Sequence, residues 1–191
     1  MNNNRKNFFD RLDWTLIFIL ALFCIVSIAA ISSAQMSGQY ATNFVPRQLF
    51  WYVVAGGIIA AMMYFEPEQY KKMAWYLYGI GIFILAVLVI LPDSMALVEP
   101  RNGAKSWFHL GFADIQPSEF MKTFYILALA RVVSKHNENT SVKTIKTDFI
   151  LLGKIFLTLL VPLAFIMQQP DLGTSLVFLA ITAAMVIVAG V

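Results

Sequence analysis

Charge is what this chain has least of. Only 13% of its residues are Asp, Glu, Lys or Arg, against about a quarter in a soluble domain. With 59% of the residues hydrophobic, that shortage excludes an ordinary soluble globule. Cysteine is nearly absent too. Cys24 stands alone in an apolar run, which excludes a disulfide framework or a cysteine-based metal site within the chain. It reads as a packed or lipid-facing side chain. There is no Gly-rich phosphate loop, no His-Glu-x-x-His and no Gly-x-Ser-x-Gly. His109 stands alone, which argues against a zinc site. No repeat of fixed period and no low-complexity tract occurs. Nothing alternates apolar and polar over the roughly 10-residue segments of a lipid-facing barrel.

What is present is a series of apolar runs. They approach the roughly 20 residues that a spanning helix needs. Helices are expected at about 14–34, 48–64, 73–91, 118–133, 150–167 and 172–191, because backbone inside lipid must satisfy its own hydrogen bonds. The chain therefore reads as all-α, a polytopic membrane protein with about six transmembrane helices, residues 1–191 forming one membrane-embedded domain. The first run is too long for a signal-peptide core, and Asp10 and Asp13 interrupt its basic flank. It reads as a retained anchor.

The net charge of +3 is informative through its distribution. A cytoplasmic N-terminus puts Arg5, Lys6, Arg11, Lys71, Lys72, Lys135, Lys143 and Lys146 inside, with Arg131 and Lys154 at inward-facing helix ends. Only Arg47, Arg101 and Lys105 remain outside. This is the positive-inside pattern. Residues 134–149 then form a basic cytoplasmic loop with a solvated His136, and no nucleic-acid partner is implied. Residues 92–117 form an outer interfacial loop. Pro100 and Asn102-Gly103 supply turn chemistry there. Trp107, Phe108, Leu110 and Phe112 form either an aromatic anchor or, with Arg101 and Lys105, a rim for an anionic head group.

Two polar interruptions stand out. Glu119 and Lys122 lie one helical turn apart at the opening of the fourth apolar run, where charges are costly unless paired or facing a cavity. Pro117 suits a first helical turn and Glu119 the positive end of the helix dipole, so a helix-start acid and its ion-pair partner is one reading. A cavity wall is the other. Asp171 follows Pro170 and precedes Thr174 and Ser175. It reads as an N-cap or as a carboxylate for a cation or polar head group. Arg47 follows Pro46 at the outer start of the second helix and reads as a snorkelling arginine or a third polar entry. Arg47, Lys105, Glu119, Lys122 and Asp171 all fall near one membrane face, which suggests an externally opening polar cavity.

Asn102-Gly103-Ala104-x-x-Trp107, Gln116-Pro117-Ser118-Glu119-x-x-Lys122 and Gln169-Pro170-Asp171-Leu172-Gly173-Thr174-Ser175 resemble signatures of the SEDS family (shape, elongation, division and sporulation). The last stretch is closer to the family's rod-shape branch than to its division branch. The motifs cover about a fifth of the chain, and helix spacing agrees throughout. The resemblance implies a ten-helix glycosyltransferase of the bacterial cytoplasmic (inner) membrane. It would polymerise lipid II, an undecaprenyl-pyrophosphate-linked disaccharide peptide, into glycan strands for cell elongation. Its implied partner is a class B penicillin-binding protein.

By the same resemblance, Glu119, Lys122, Asp171 and Arg47 match residues of the family, and Ser106 stands where the family often has Arg. The chain stops at the inner end of the sixth helix, so it is expected to be an N-terminal portion, inactive alone. The implied catalytic aspartate lies beyond it, and no catalytic residue is expected within. No cofactor is identified by motif, and a divalent cation stays open. A flippase for a lipid-linked precursor, or a non-catalytic scaffold for the transpeptidase, are the other classes.

Overall fold

A computed structural model describes residues 12–36, 43–92, 95–98, 100, 103–111, 113–140 and 144–191. The expectations placed on Arg5, Lys6, Asp10, Arg11, Arg101, Asn102, Phe112 and Lys143 lie outside these described residues. Six helices occur in order: α1 Trp14–Met36, α2 Val45–Met62, α3 Pro67–Ile90, α4 Pro117–Asn139, α5 Ile145–Gln168 and α6 Leu172–Ala189. Two short strands, β1 Phe108–His109 and β2 Asp114–Ile115, stand between α3 and α4. The chain is an all-α, polytopic membrane protein. Five of the helices are long and apolar enough to cross a membrane, and α4 is the exception.

The chain divides into two compact units, Met1–Phe65 and Glu66–Val191. The first unit contains α1 and α2, which contact each other and bury none of their described residues.

The second unit holds α3 to α6. Proline opens both α3 and α4 in the first turn, where its missing N–H is harmless. Glu66 N–H donates to Gln69 Oε1 at 2.8 Å and Thr144 N–H to Thr147 Oγ1 at 2.9 Å. These reciprocal caps start α3 and α5 earlier than hydropathy alone indicates. Similarly, α4 runs on to Asn139, well past the expected end at 133. The expected cytoplasmic loop 134–149 therefore shrinks to a connection over 140–144. His136, expected to be solvated there, is buried within α4. The correction has a plain cause: α4 continues to bury one stripe to its end, so its outer residues stay helical despite their polarity.

That stripe is Ser118, Met121, Tyr125, Ala128, Leu129, Val132 and His136, spaced three and four apart as one helix face requires. α4 packs against α3, α5 and α6. Lipid tails are as apolar as Leu, so helices in a membrane associate by close packing and hydrogen bonds rather than by exclusion of water. Gly81 of α3 shows the first: a Cβ there would strike Met121 Sδ and stand 3.1 Å from the Phe124 ring. Tyr125 shows the second. Its hydroxyl lies 2.7 Å from Thr182 Oγ1, and its ring packs 5.1 Å from that of Phe178.

Pro162 lies buried inside α5. Having no N–H, it cannot donate to the carbonyl four residues earlier, at Thr158. Tyr78 of α3 donates its hydroxyl to that carbonyl at 2.8 Å. The helix break and its repair thus come from different helices.

Candidate functional site

The site is built where α4 and α6 begin. Asp171 is the N-cap of α6. Its Oδ1 accepts from Thr174 N–H at 3.0 Å and its Oδ2 from the Thr174 hydroxyl at 2.7 Å. Ser175 Oγ donates to the Asp171 main-chain carbonyl at 2.9 Å. A further donor arrives from 55 residues away: Gln116 Nε2 donates to Asp171 Oδ2 at 3.0 Å. Gln116 is the residue before Pro117, so this bond ties the Gln-Pro-Ser-Glu segment to the Pro-Asp-Leu-Gly-Thr-Ser segment.

One turn into α4, Lys122 Nζ stands 2.7 Å from Glu119 Oε1 and 2.7 Å from Glu119 Oε2. The pair forms as expected, but it is not sealed in the interior. Lys122 is 22% exposed and Glu119 53%. The first turn of α4 faces the surroundings on that side, so the carboxylate keeps access to a ligand.

Lys105 departs from the expected rim. Its ammonium reaches the Val89 carbonyl at 3.3 Å and the Leu91 carbonyl, closing the C-terminal end of α3. A cation there satisfies orphan carbonyls and complements the helix dipole. Ser106 beside it is buried.

The segment between α3 and α4 is more ordered than a loop. β1 and β2 pair antiparallel, with Phe108 opposite Ile115 and His109 opposite Asp114. Gly111 turns between them at φ +81°, a conformation that glycine adopts without strain. His109 Nδ1 and Asp114 Oδ1 are 2.7 Å apart. His109 N–H also donates to the Leu97 carbonyl at 2.8 Å. The hairpin leads straight into Gln116 and holds the start of α4.

Three buried side-chain atoms lack a hydrogen-bond partner among the described residues: Ser106 Oγ, Ser118 Oγ and Gln169 Nε2. Two of them flank the pair of motif segments, Ser118 next to Glu119 and Gln169 two before Asp171. Each such group costs about 1–3 kcal/mol. Retaining them at one end of the unit is a cost that packing alone does not explain. No group of three or more His, Cys, Asp or Glu able to hold a metal occurs among the described residues.

The second unit thus brings Gln116, Glu119, Lys122 and Asp171 to one end, with Lys105 at the neighbouring end of α3. Arg47 belongs to the first unit, exposed in the first turn of α2. Sequence reasoning missed Gln116 as a partner. Its signal was its place beside Pro117 in the motif.

Comparison with known proteins places this geometry. The sequence profile of the family described as "Cell cycle protein", covering FtsW, RodA and SpoVE, matches residues 9–191. "Probable peptidoglycan glycosyltransferase FtsW" of Bacillus subtilis is 30% identical over 97% of this chain and 45% of its own length. "Peptidoglycan glycosyltransferase MrdB" of Escherichia coli is 32% identical over 92% of this chain and 44% of its own. The crystal structure of the rod shape determining protein RodA of Thermus thermophilus superposes with a TM-score of 0.78 at 25% identity, covering 95% of this chain and 55% of that one. The chain spans about half the length of these relatives. With a profile that covers nearly all of it and two motif segments joined at one end, the chain belongs to the FtsW, RodA and SpoVE family of cell cycle proteins.

Proposed function

We propose that this chain forms the substrate-side half of a peptidoglycan glycosyltransferase, which polymerises lipid II into glycan strands and works beside a class B penicillin-binding protein. The observation that carries the reading is the Gln116–Asp171 bond, which sets the Asp171 carboxylate beside the Glu119–Lys122 pair's end of α4. The names of the relatives support the same chemistry. The excess of Lys and Arg on one side supports a cytoplasmic N-terminus in the bacterial cytoplasmic membrane, with the site outside.

Glycosyl transfer needs a base for the attacking hydroxyl and positive charge for the departing pyrophosphate. Asp171 Oδ2 already accepts two donors and Oδ1 one. Two lone pairs per oxygen leave one open site on Oδ1. That site accepts one sugar hydroxyl or one cation. Lys122 has three N–H donors, and Glu119 does not exhaust them. It is the group suited to a phosphate oxygen. Lys105 supports this set by fixing the end of α3. If a divalent cation takes part, Asp171 Oδ1 would hold it and it would supply positive charge to the departing pyrophosphate. The base that takes the proton is expected from the remainder of the protein.

The test is glycan-strand formation from purified lipid II by the full-length protein, with and without the transpeptidase. Polymer is expected. A protein that moves lipid II between leaflets without polymer is a flippase. One that does neither, yet raises transpeptidase activity, is a scaffold.

A further inference from the structure

At the opposite end of the second unit, the first half of α3, the last half of α4 and the first half of α5 enclose a cavity of about 380 Å³. Arg131, Lys135 and Lys154 line it, with Asn139 beside them and Trp75 and Leu157 on its apolar wall. No carboxylate lines it. Among the described residues, none of the three cations makes an ion pair. Of the acids on the same elements, Glu68 pairs with Lys71 at 2.8 Å and also feels the charge of Arg131, Glu119 pairs with Lys122, Glu138 accepts from Ser134 at 2.9 Å, and Asp148 lines a neighbouring cavity with His136.

Depth identifies the ligand. Trp75 lies eight residues inside α3, Arg131 eight from the end of α4 and Lys154 nine inside α5. At 1.5 Å per residue each is about 12–14 Å from its helix end. Arg131 and Lys154 therefore lie well inside their helix ends, whereas Lys135, four residues from the end of α4, lies about 6 Å from it. Unpaired cations at that depth are costly. A phosphate ester with an attached chain offsets the cost and also suits the apolar wall; a free phosphate suits only the cations.

We propose that this cavity binds the phosphodiester head group of an anionic phospholipid, with Arg131, Lys135 and Lys154 on the phosphate and Trp75 against the upper acyl chain. The site is separate from the Asp171 end and requires membrane insertion, not the polymerase reading. Its ligand holds α3, α4 and α5 together at the end far from Gln116.

The test uses the full-length protein, melted in mixed micelles that contain phosphatidylglycerol, phosphatidylcholine, or phosphatidylcholine with inorganic phosphate. Phosphatidylglycerol alone should raise the Tm. The double variant Arg131→Gln/Lys154→Gln should lose that rise, its preference for phosphatidylglycerol falling roughly thirtyfold on about 1 kcal/mol per cation. Lys71→Gln, outside the cavity, should keep it. Equal shifts with both lipids, a rise reproduced by inorganic phosphate, or an unchanged response in the double variant would each overturn the proposal. A second measurement serves if the double variant does not fold. Brominated phosphatidylglycerol should quench wild-type fluorescence more than brominated phosphatidylcholine does, and Trp75→Phe should remove the difference. Equal quenching by the two lipids refutes the site.

Discussion

Replacing Tyr78 by Phe removes one oxygen and keeps the ring, which stacks edge-on to Trp75 at 5.6 Å. What is lost is the donor to Thr158 O at 2.8 Å. That carbonyl has no helical partner, because Pro162 supplies no N–H. A buried acceptor left unpaired costs about 1–3 kcal/mol, while interhelical hydrogen bonds in membranes average about 0.6 and reach about 1.7. The missing helical partner puts this bond near the top of that range, so Tyr78→Phe should destabilise the protein by about 1.5 kcal/mol. In a Pro162→Ala background the restored Ala N–H reaches Thr158 O, and the same substitution should cost about 0.5. The coupling energy of the cycle is then about 1 kcal/mol. Reversible unfolding of the full-length protein by denaturing detergent in mixed micelles measures all four corners. A coupling near zero would show that Tyr78 contributes only its ring, and that some other donor serves the carbonyl.

Asp171→Asn keeps the N-cap, since Asn caps about as well as Asp, and removes the charge. It should melt normally yet polymerise lipid II poorly, and normal polymer length and yield would reduce Asp171 to a cap. Gln116→Ala should lower activity less than Asp171→Asn, because Thr174 still holds the carboxylate; an equal loss would make Gln116 a direct ligand. Lys122→Ala leaves Glu119 without its partner, but the pair is partly exposed, so stability should fall by less than about 1 kcal/mol while activity falls sharply. A large drop in Tm with it would refute the ligand role. Gly81→Val should loosen α3 from α4 and lower the Tm, whereas Gly79→Val, with nothing near its missing Cβ, should not. Single cysteines at 107–111 in a Cys24→Ser background should label from outside, and those at 140 or 144 only after permeabilisation. The reverse pattern would overturn the orientation.

Hydropathy located every helix centre but not its ends. α3 begins at Pro67 and α5 at Ile145, each several residues before its apolar run, because caps and an ongoing buried stripe govern helix ends while hydropathy reports only lipid-facing length. α4 was legible as an apolar run over 118–133, but not in its polar last turns. The two-residue strands carried no periodicity to read, so the His109–Asp114 contact was invisible. Glu119–Lys122 was legible because its spacing is local. Gln116–Asp171 was not, because 55 residues separate the partners and no pattern in either segment names the other. Lys105 was read as part of either an aromatic anchor or a rim for a head group. Which way a long side chain turns is decided by the nearest orphan carbonyls, here those at the end of α3.

The polarity of α4 has a consequence for how the protein is made. Alone in a bilayer, this helix would present Lys122, Arg131 and Lys135 to lipid, each costing up to about 3 kcal/mol near the midplane and less towards the ends. Its neighbours α3 and α5 are apolar enough to insert by themselves. α4 must therefore wait, at the translocon or the bilayer surface, until α5 emerges and the two enter as a hairpin against α3. The short connection over 140–144 suits that paired entry. Glycosylation mapping of nascent chains should find α4 outside the bilayer when synthesis stops before α5, and across it once the whole of α5 has left the ribosome.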